Sequence, residues 1–173
     1  RTVTQSIFIE LFKNGAIIED LRPNIYDPVE GTTIADAEVE RLSRKTRLVD
    51  ISWTCDDGTE IVISTTRPEL ICACGVVAVH PDDERYSHLV GKTIHLPLPV
   101  EGRSTSVKVM THNSVKSDFG SGVLMVCSFG DQNDVAVFRE LGLTPFQAID
   151  LDGKLTEIAG PFSGMKVIDA RNA

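Results

Sequence analysis

Apolar runs of four to seven residues, each closed off by turn formers, constrain this chain more than any other feature of its sequence. Residues 48–53 and 59–64 flank Asp56-Asp57-Gly58, a hairpin signal. Residues 76–79 form a compact apolar strand. Runs at 93–98 and 106–110 are separated by Pro99 and Glu101-Gly102, and the glycine-bracketed run 120–126 follows. Between 34 and 40, Ala35, Ala37 and Val39 alternate with Asp36, Glu38 and Glu40, which predicts a half-solvated strand. Helical signals lie between these runs. Ile7, Phe8, Leu11 and Phe12 form an apolar face that stops at Asn14-Gly15, and Pro68 opens a short helix ending at Gly75. A helix starts at Pro81 with Asp82, Asp83 and Glu84 in its first turn and closes at Gly91. Another runs from about Asp131 to Leu141, more strand precedes Asp152-Gly153, and a last helix starts near Met165. Many short strands with interspersed helices predict a mixed, β-rich α+β fold. Its architecture is a closed or partly closed β-barrel decorated by several helices, and not a βαβ wind.

A length of 173 residues suits a single domain, 1–173, large enough to bury one core without disulfide staples. The hydrophobic fraction is 42% and mean hydropathy is near zero, and no apolar run approaches the roughly 20 residues of a membrane span. No charged-then-apolar leader opens the chain, so a cytoplasmic location is expected. The first residue is Arg1 and the last, Ala173, falls within a helical pattern, which reads as a part excised from a larger protein. A formal net charge of −8 argues against tight non-specific binding to a phosphate backbone. Arg41, Arg44, Lys45 and Arg47 make only a modest basic cluster, read as a solvated face. Cys55, Cys72, Cys74 and Cys127 lack paired C-x-x-C spacing and read as reduced core residues, and the four histidines are scattered singly. No metal site is expected.

Chemistry concentrates in two places. Ser64-Thr65-Thr66-Arg67-Pro68-Glu69 ends one apolar strand with hydroxyls and a guanidinium, and Asp131 and Asp134 open the helix after another. Such groups can hold an amino acid's ammonium and the ester joining it to a nucleic acid, which points to a hydrolytic proofreading site. Taken alone, Asp131 reads as a helix cap and Asp134 as a surface carboxylate favoured by the helix dipole. Thr65 and Thr66 are ordinary at a strand end. Arg67 stands equally as a binder of phosphate or carboxylate and as a local partner of Glu69. Gly120 and Gly122 read as permitting close backbone approach to a substrate or as a bulge. No Ser-His-Asp or Cys-His arrangement can be argued.

In order, Thr65-Thr66-Arg67-Pro68-Glu69, Val79-His80-Pro81-Asp82-Asp83-Glu84-Arg85-Tyr86, Gly91-Lys92, Gly120-Ser121-Gly122-Val123, and Asp131 with Asp134 resemble a known pattern. It is the editing insertion of the valyl, isoleucyl and leucyl class I aminoacyl-tRNA synthetases. The similarity spans nearly the whole chain, and the run from Gly120 through Phe129 to Asp131 is most like the archaeal type of valyl enzyme. The resemblance implies hydrolysis of threonine from valine tRNA, with Asp134 gripping the α-ammonium and Asp131 as a neighbouring carboxylate. It puts Thr65 and Thr66 near the adenosine and the scissile carbonyl, with Arg67, Gly120, Gly122 and Met125 also lining the substrate, and with water, oriented by Thr66, as nucleophile. Asp134, Asp131 and Thr66 are thereby the expected catalytic set. The tRNA acceptor end is the implied partner, held weakly by this domain alone, together with the rest of the synthetase in the same chain. No cofactor is implied for editing, and ATP belongs to the parent's synthetic site, whose usual signatures this sequence lacks. Met125 and Leu70 depart from the lysine and threonine of bacterial valyl enzymes. Two alternatives therefore stand beside this reading: an isoleucyl or leucyl editing domain, and a catalytically silent barrel that docks the acceptor end.

Overall fold

A hairpin forms where Asp56-Asp57-Gly58 allows it. In the computed structural model, which describes residues 1–19, 23–40, 42–98 and 106–173, β3 spans Val49–Cys55 and β4 spans Glu60–Thr65. The turn is tied by Gly58 N–H donating to the Cys55 carbonyl at 2.9 Å and Thr59 N–H to Asp57 Oδ1 at 3.0 Å. Period-two alternation then sends Trp53, Cys55, Ile61 and Ile63 inward and leaves Ser52, Thr54 and Val62 outside. Arg41, Pro99, Glu101 and Gly102 lie outside the described residues.

Strands β5 (Cys74–Val79), β6 (Thr93–His95), β7 (Ser106–Thr111) and β8 (Val123–Cys127) complete a six-stranded mixed sheet in the order β4-β3-β6-β7-β5-β8. Pairing is antiparallel except between β5 and β7. The two end strands, β4 and β8, come together and nearly close the barrel. Hydroxyls hold this seam: Ser121 N–H donates to Ser64 Oγ at 2.9 Å and Ser64 N–H to Ser121 Oγ at 3.3 Å. All six strands of the sheet coincide with apolar runs of the sequence. β6 stops at His95, short of the expected 98, because its pairing with β3 and β7 ends there.

β5 is buried on both faces, which explains its unbroken apolar sequence. Val77 and Val79 join Trp53, Ile63, Ile94, Val109, Met125 and all four cysteines in the barrel interior. Val76 and Ala78 face outward, where Val137 and Phe138 of α2 (Gln132–Glu140) cover them together with Val126. Burying these residues is the main favourable term, at about 1.5–3 kcal/mol for each large aliphatic or aromatic side chain. A Cβ on Gly75 would stand 2.5 Å from Phe138 Cζ, so the absence of a side chain there lets α2 seat. Trp53 is 1% exposed, and its indole Nε1 has no hydrogen-bond partner among the described residues.

Two expectations change. The alternation at 34–40 is not a strand: β2 is Thr32–Ile34, paired with β1 (Ile25–Asp27), and Asp36–Glu38 is a 3-10 turn. The ladder ends at the Ile25–Ile34 pair, so the residues after Ile34 have no partner strand among the described residues. The helix expected from Pro81 is a 3-10 helix over Glu84–Leu89, begun later because Asp83 caps it by accepting from Arg85 N–H at 3.2 Å. The segment at 68–73 is likewise 3-10. Strand character before Asp152-Gly153 reduces to a bridge between Ile149 and Leu155. Among the described residues the remaining helices are α1 (Thr2–Lys13), a 3-10 segment at Glu157–Phe162 and α3 (Val167–Asn172), and α1 buries none of its residues. Among the described residues no helix is long and apolar enough to cross a membrane.

Candidate functional site

Helical geometry makes Asp134 unusual. It precedes Val137 and Phe138 by three and four residues, which puts all three on one face of α2, and that face lies against the sheet. The carboxyl is therefore buried, not a solvated first-turn acid. Burial pushes its pKa up to about 7, helped by the neighbouring charge of Asp131 and opposed by the Cys127 N–H, Arg67 and the Asp131 contact. The Cys127 N–H reaches Asp134 Oδ2 only at 3.4 Å, a long bond that leaves acceptor capacity free. Asp131 is the cap that the sequence suggested: its Oδ1 accepts from Asp134 N–H at 2.9 Å, and its side chain is exposed.

Both carboxylates line a cavity of about 180 Å³ with Ser64, Lys116, Gly122 and Asn133 on its walls. The space is several times what a water molecule occupies in the liquid. The loop closing it is held by a relay that begins in the Pro81 to Tyr86 motif. Buried Asp83 takes Arg85 in a two-point grip, Nε to Oδ1 at 2.8 Å and Nη2 to Oδ2 at 2.6 Å. Arg85 Nη2 also donates to the Ser117 carbonyl at 2.8 Å, and the Tyr86 hydroxyl to that of Ser121 at 2.7 Å. The motif serves as scaffold for the loop.

Gly120 and Gly122 are explained by the protein's own packing. Both have positive φ, 55° and 81°. A Cβ at Gly120 would lie 2.5 Å from Ser64 Cβ, and one at Gly122 would lie 2.5 Å from Arg85 Nη2. Gly122 also borders the cavity.

The end of β4 meets the turn between β8 and α2 through Arg67. Its Nη1 donates to the Gly130 carbonyl at 2.7 Å, its Nε to Glu69 Oε1 at 3.2 Å, and its backbone N–H to Thr65 Oγ1 at 3.0 Å. Both readings of Arg67 thus survive: it pairs with Glu69 and still faces a second, larger cavity of about 590 Å³ lined by Tyr26, Leu70, Phe129 and Phe146. Thr66 is half-buried between Thr65 and Arg67, and its hydroxyl makes no hydrogen bond among the described residues. Met125 lies within the barrel core at 6% exposure and borders neither cavity.

The fold thus gathers Arg67, Asp131 and Asp134 at one turn and joins Thr65 to Arg67, with Gly122 on the rim, while Met125 points into the core. Sequence reasoning missed Ser64 as a wall of the cavity, although it heads the hydroxyl run. It also missed Phe129, which takes a positive φ of 52°, a conformation that costs a bulky residue free energy. Glu69 is more deeply embedded than motif support required. Its fully buried carboxylate accepts from Arg171 as well, Nη2 to Oε1 at 2.6 Å and Nε to Oε2 at 3.1 Å, and despite the desolvation its pKa is held below the usual carboxylate range by these guanidinium bonds.

No protein-family model matches the chain. Individual proteins do. Valine–tRNA ligase of Aeropyrum pernix is 42% identical over 172 residues, covering 99% of this chain and 20% of the ligase. That of Methanopyrus kandleri is 45% identical over 171 residues, 96% of this chain and 19% of the ligase. That of Archaeoglobus fulgidus is 42% identical over 171 residues, 98% and 19%. Over nearly its whole length the chain is similar to valine–tRNA ligases of archaea. It spans about a fifth of the length of these relatives, so it corresponds to one segment of the ligase, of the archaeal type.

Proposed function

We propose that this segment is the editing domain of a valine–tRNA ligase and hydrolyses the ester joining threonine to the terminal adenosine of tRNA. The observation that carries the reading is Asp134, a carboxyl buried on the wall of a small cavity, whose pKa is raised to about 7 by that burial and by the neighbouring charge of Asp131. A group in that state is built to receive a cation. An α-ammonium entering the cavity favours the carboxylate form and forms a charge-assisted bond, roughly twice as strong as a neutral one. Asp131 adds negative potential at the rim, and Asn133, Ser64 and Lys116 supply polar contacts.

The cavity sets the hydroxyls of Ser64 and Ser114 among apolar Val115, Phe119, Val123 and Leu124, and those hydroxyls give the reason for threonine. An apolar synthetic pocket rejects an isosteric hydroxyl only about a hundredfold, so a second site must read that hydroxyl directly. Valine there would strand buried polar groups at about 1–3 kcal/mol each. In the hydrolysis, water adds to the ester carbonyl and the bond from the acyl carbon to the ribose oxygen breaks, releasing threonine and tRNA. Thr66, whose hydroxyl bonds to none of the described residues, orients the water, and Thr65 and backbone donors face the acyl and adenosine oxygens. Arg67 holds the turn, Gly120 and Gly122 shape the loop, and Met125 acts through the core. The reaction uses no cofactor of its own, since ATP serves the synthetic site elsewhere in the ligase. Residues 1–173 act as one domain of that longer cytoplasmic polypeptide, whose other parts hold most of the tRNA.

The test is release of amino acid from valine-specific tRNA charged with threonine or with valine, with this chain at high concentration. Threonine should be released many-fold faster. Equal release would favour editing of aliphatic amino acids, and release of neither would leave a docking barrel.

A further inference from the structure

We propose that Arg171, on the short helix α3, is a positioning residue for the candidate site, acting through Glu69 and Arg67 on the turn between β8 and α2. The chain of contacts is continuous. Arg171 grips both oxygens of the Glu69 carboxylate, at 2.6 and 3.1 Å. Arg67 takes one of those oxygens at 3.2 Å and gives another nitrogen to the Gly130 carbonyl at 2.7 Å. Gly130 is followed directly by Asp131, which caps the helix that carries Asp134.

Geometry makes Arg171 decisive in how Arg67 is shared. A guanidinium and a carboxylate prefer a two-point pairing. Because Arg171 already occupies Glu69 in that manner, Arg67 is left with a single bond to it and keeps a nitrogen for the turn. Glu69 has no exposed side-chain surface, so its charge must be compensated within the protein. Without Arg171, Arg67 alone can do this, and the two-point pairing turns it toward Glu69 and away from Gly130. A plain clamp of α3 onto the barrel predicts nothing at the turn.

Among the described residues four groups face Asp134: Asp131 at the head of α2, Arg67 just beyond β4, the Cys127 thiol at the end of β8, and Lys116 on the same cavity. Among them Arg67 moves when Arg171 is lost. Arg67 favours the ionised carboxyl, so its withdrawal raises the pH at which Asp134 titrates.

The test is a carbon-13 NMR titration of the Asp134 carboxyl in the 173-residue chain. Arg171→Ala should raise the midpoint by about half a pH unit or more. Arg67→Gln should raise it at least as far, and Arg171→Ala added to Arg67→Gln should move it no further. Arg171→Lys, which keeps the charge but not the two-point grip, should give a smaller rise, and it also serves if the alanine variant does not fold. An unmoved midpoint in a folded variant, or shifts of Arg171→Ala and Arg67→Gln that simply add, overturns the proposal. Only the rate measurement rests on the editing reading: threonyl-ester hydrolysis should fall several-fold in Arg171→Ala. A shifted midpoint with no hydrolysis even in the unaltered chain would keep the positioning role and remove the editing one.

Discussion

A carboxyl that ionises only near neutrality makes the folded chain sensitive to pH in a definite direction. Unfolded, Asp134 loses its proton near pH 4; folded, near 7. Between those values the folded chain keeps a proton that the unfolded chain has given up. The stability this provides is therefore complete below about pH 4 and lost as pH rises through about 7. Asp134→Asn removes the titration. It should be more stable than the unaltered chain at pH 8, by about 1–3 kcal/mol, with the gap closing toward pH 4, and under the proposed editing function threonyl hydrolysis should disappear. Calorimetry over that range checks the sign, and an Asn variant less stable at pH 8 would contradict it. Asp131→Ala should cost about 1 kcal/mol and Asp131→Asn much less, since asparagine keeps the cap. Urea melts compare them. Gly120→Ala, which puts a methyl against Ser64 at a positive φ, should cost about 1–3 kcal/mol. The burial of Asp134 was readable in the sequence from its spacing to Val137 and Phe138, but its first-turn position suggested solvent instead. The partner of Glu69 was not readable, because 102 residues separate Glu69 from Arg171 and no local pattern links them.

At the scale of elements, the site is a loop and a turn held by side chains more than by ladder bonds. The loop at 117–122 depends on Arg85, whose removal leaves buried Asp83 without its guanidinium and Ser117 without its donor. Arg85→Ala should speed amide hydrogen exchange at Ser121 and Gly122 well before it affects the β3–β4 hairpin, and equal change in both regions would contradict this. Local signals sufficed for the hairpin, whose turn is written in Asp56-Asp57-Gly58, and for α2, whose cap and stop flank an apolar face. They failed at 34–40, where period-two alternation needs a neighbouring strand to become a sheet and β1 is only three residues long. The same limit applies to 3-10 segments such as Pro68–Ala73, because propensity does not distinguish one tight helical turn from a longer helix.

For the molecule as a whole, a net charge of −8 sets the strength of any contact with tRNA. Filter binding at physiological salt should give a dissociation constant no tighter than the micromolar range for this chain alone, and nanomolar affinity would show that an unrecognised basic surface dominates. The barrel was legible because its strands are short, centred on apolar residues and bounded by turn formers. Its strand order was not, since the parallel pairing of β5 with β7 and the meeting of β4 with β8 join residues far apart in sequence. Trp53, alone of its kind and shut inside the nearly closed sheet, turns this architecture into an optical gauge. Its emission should be blue-shifted and quencher-resistant while the barrel is intact, and should move to the red in one step when it opens. Every variant above thus carries its own fluorophore, with no dye to attach.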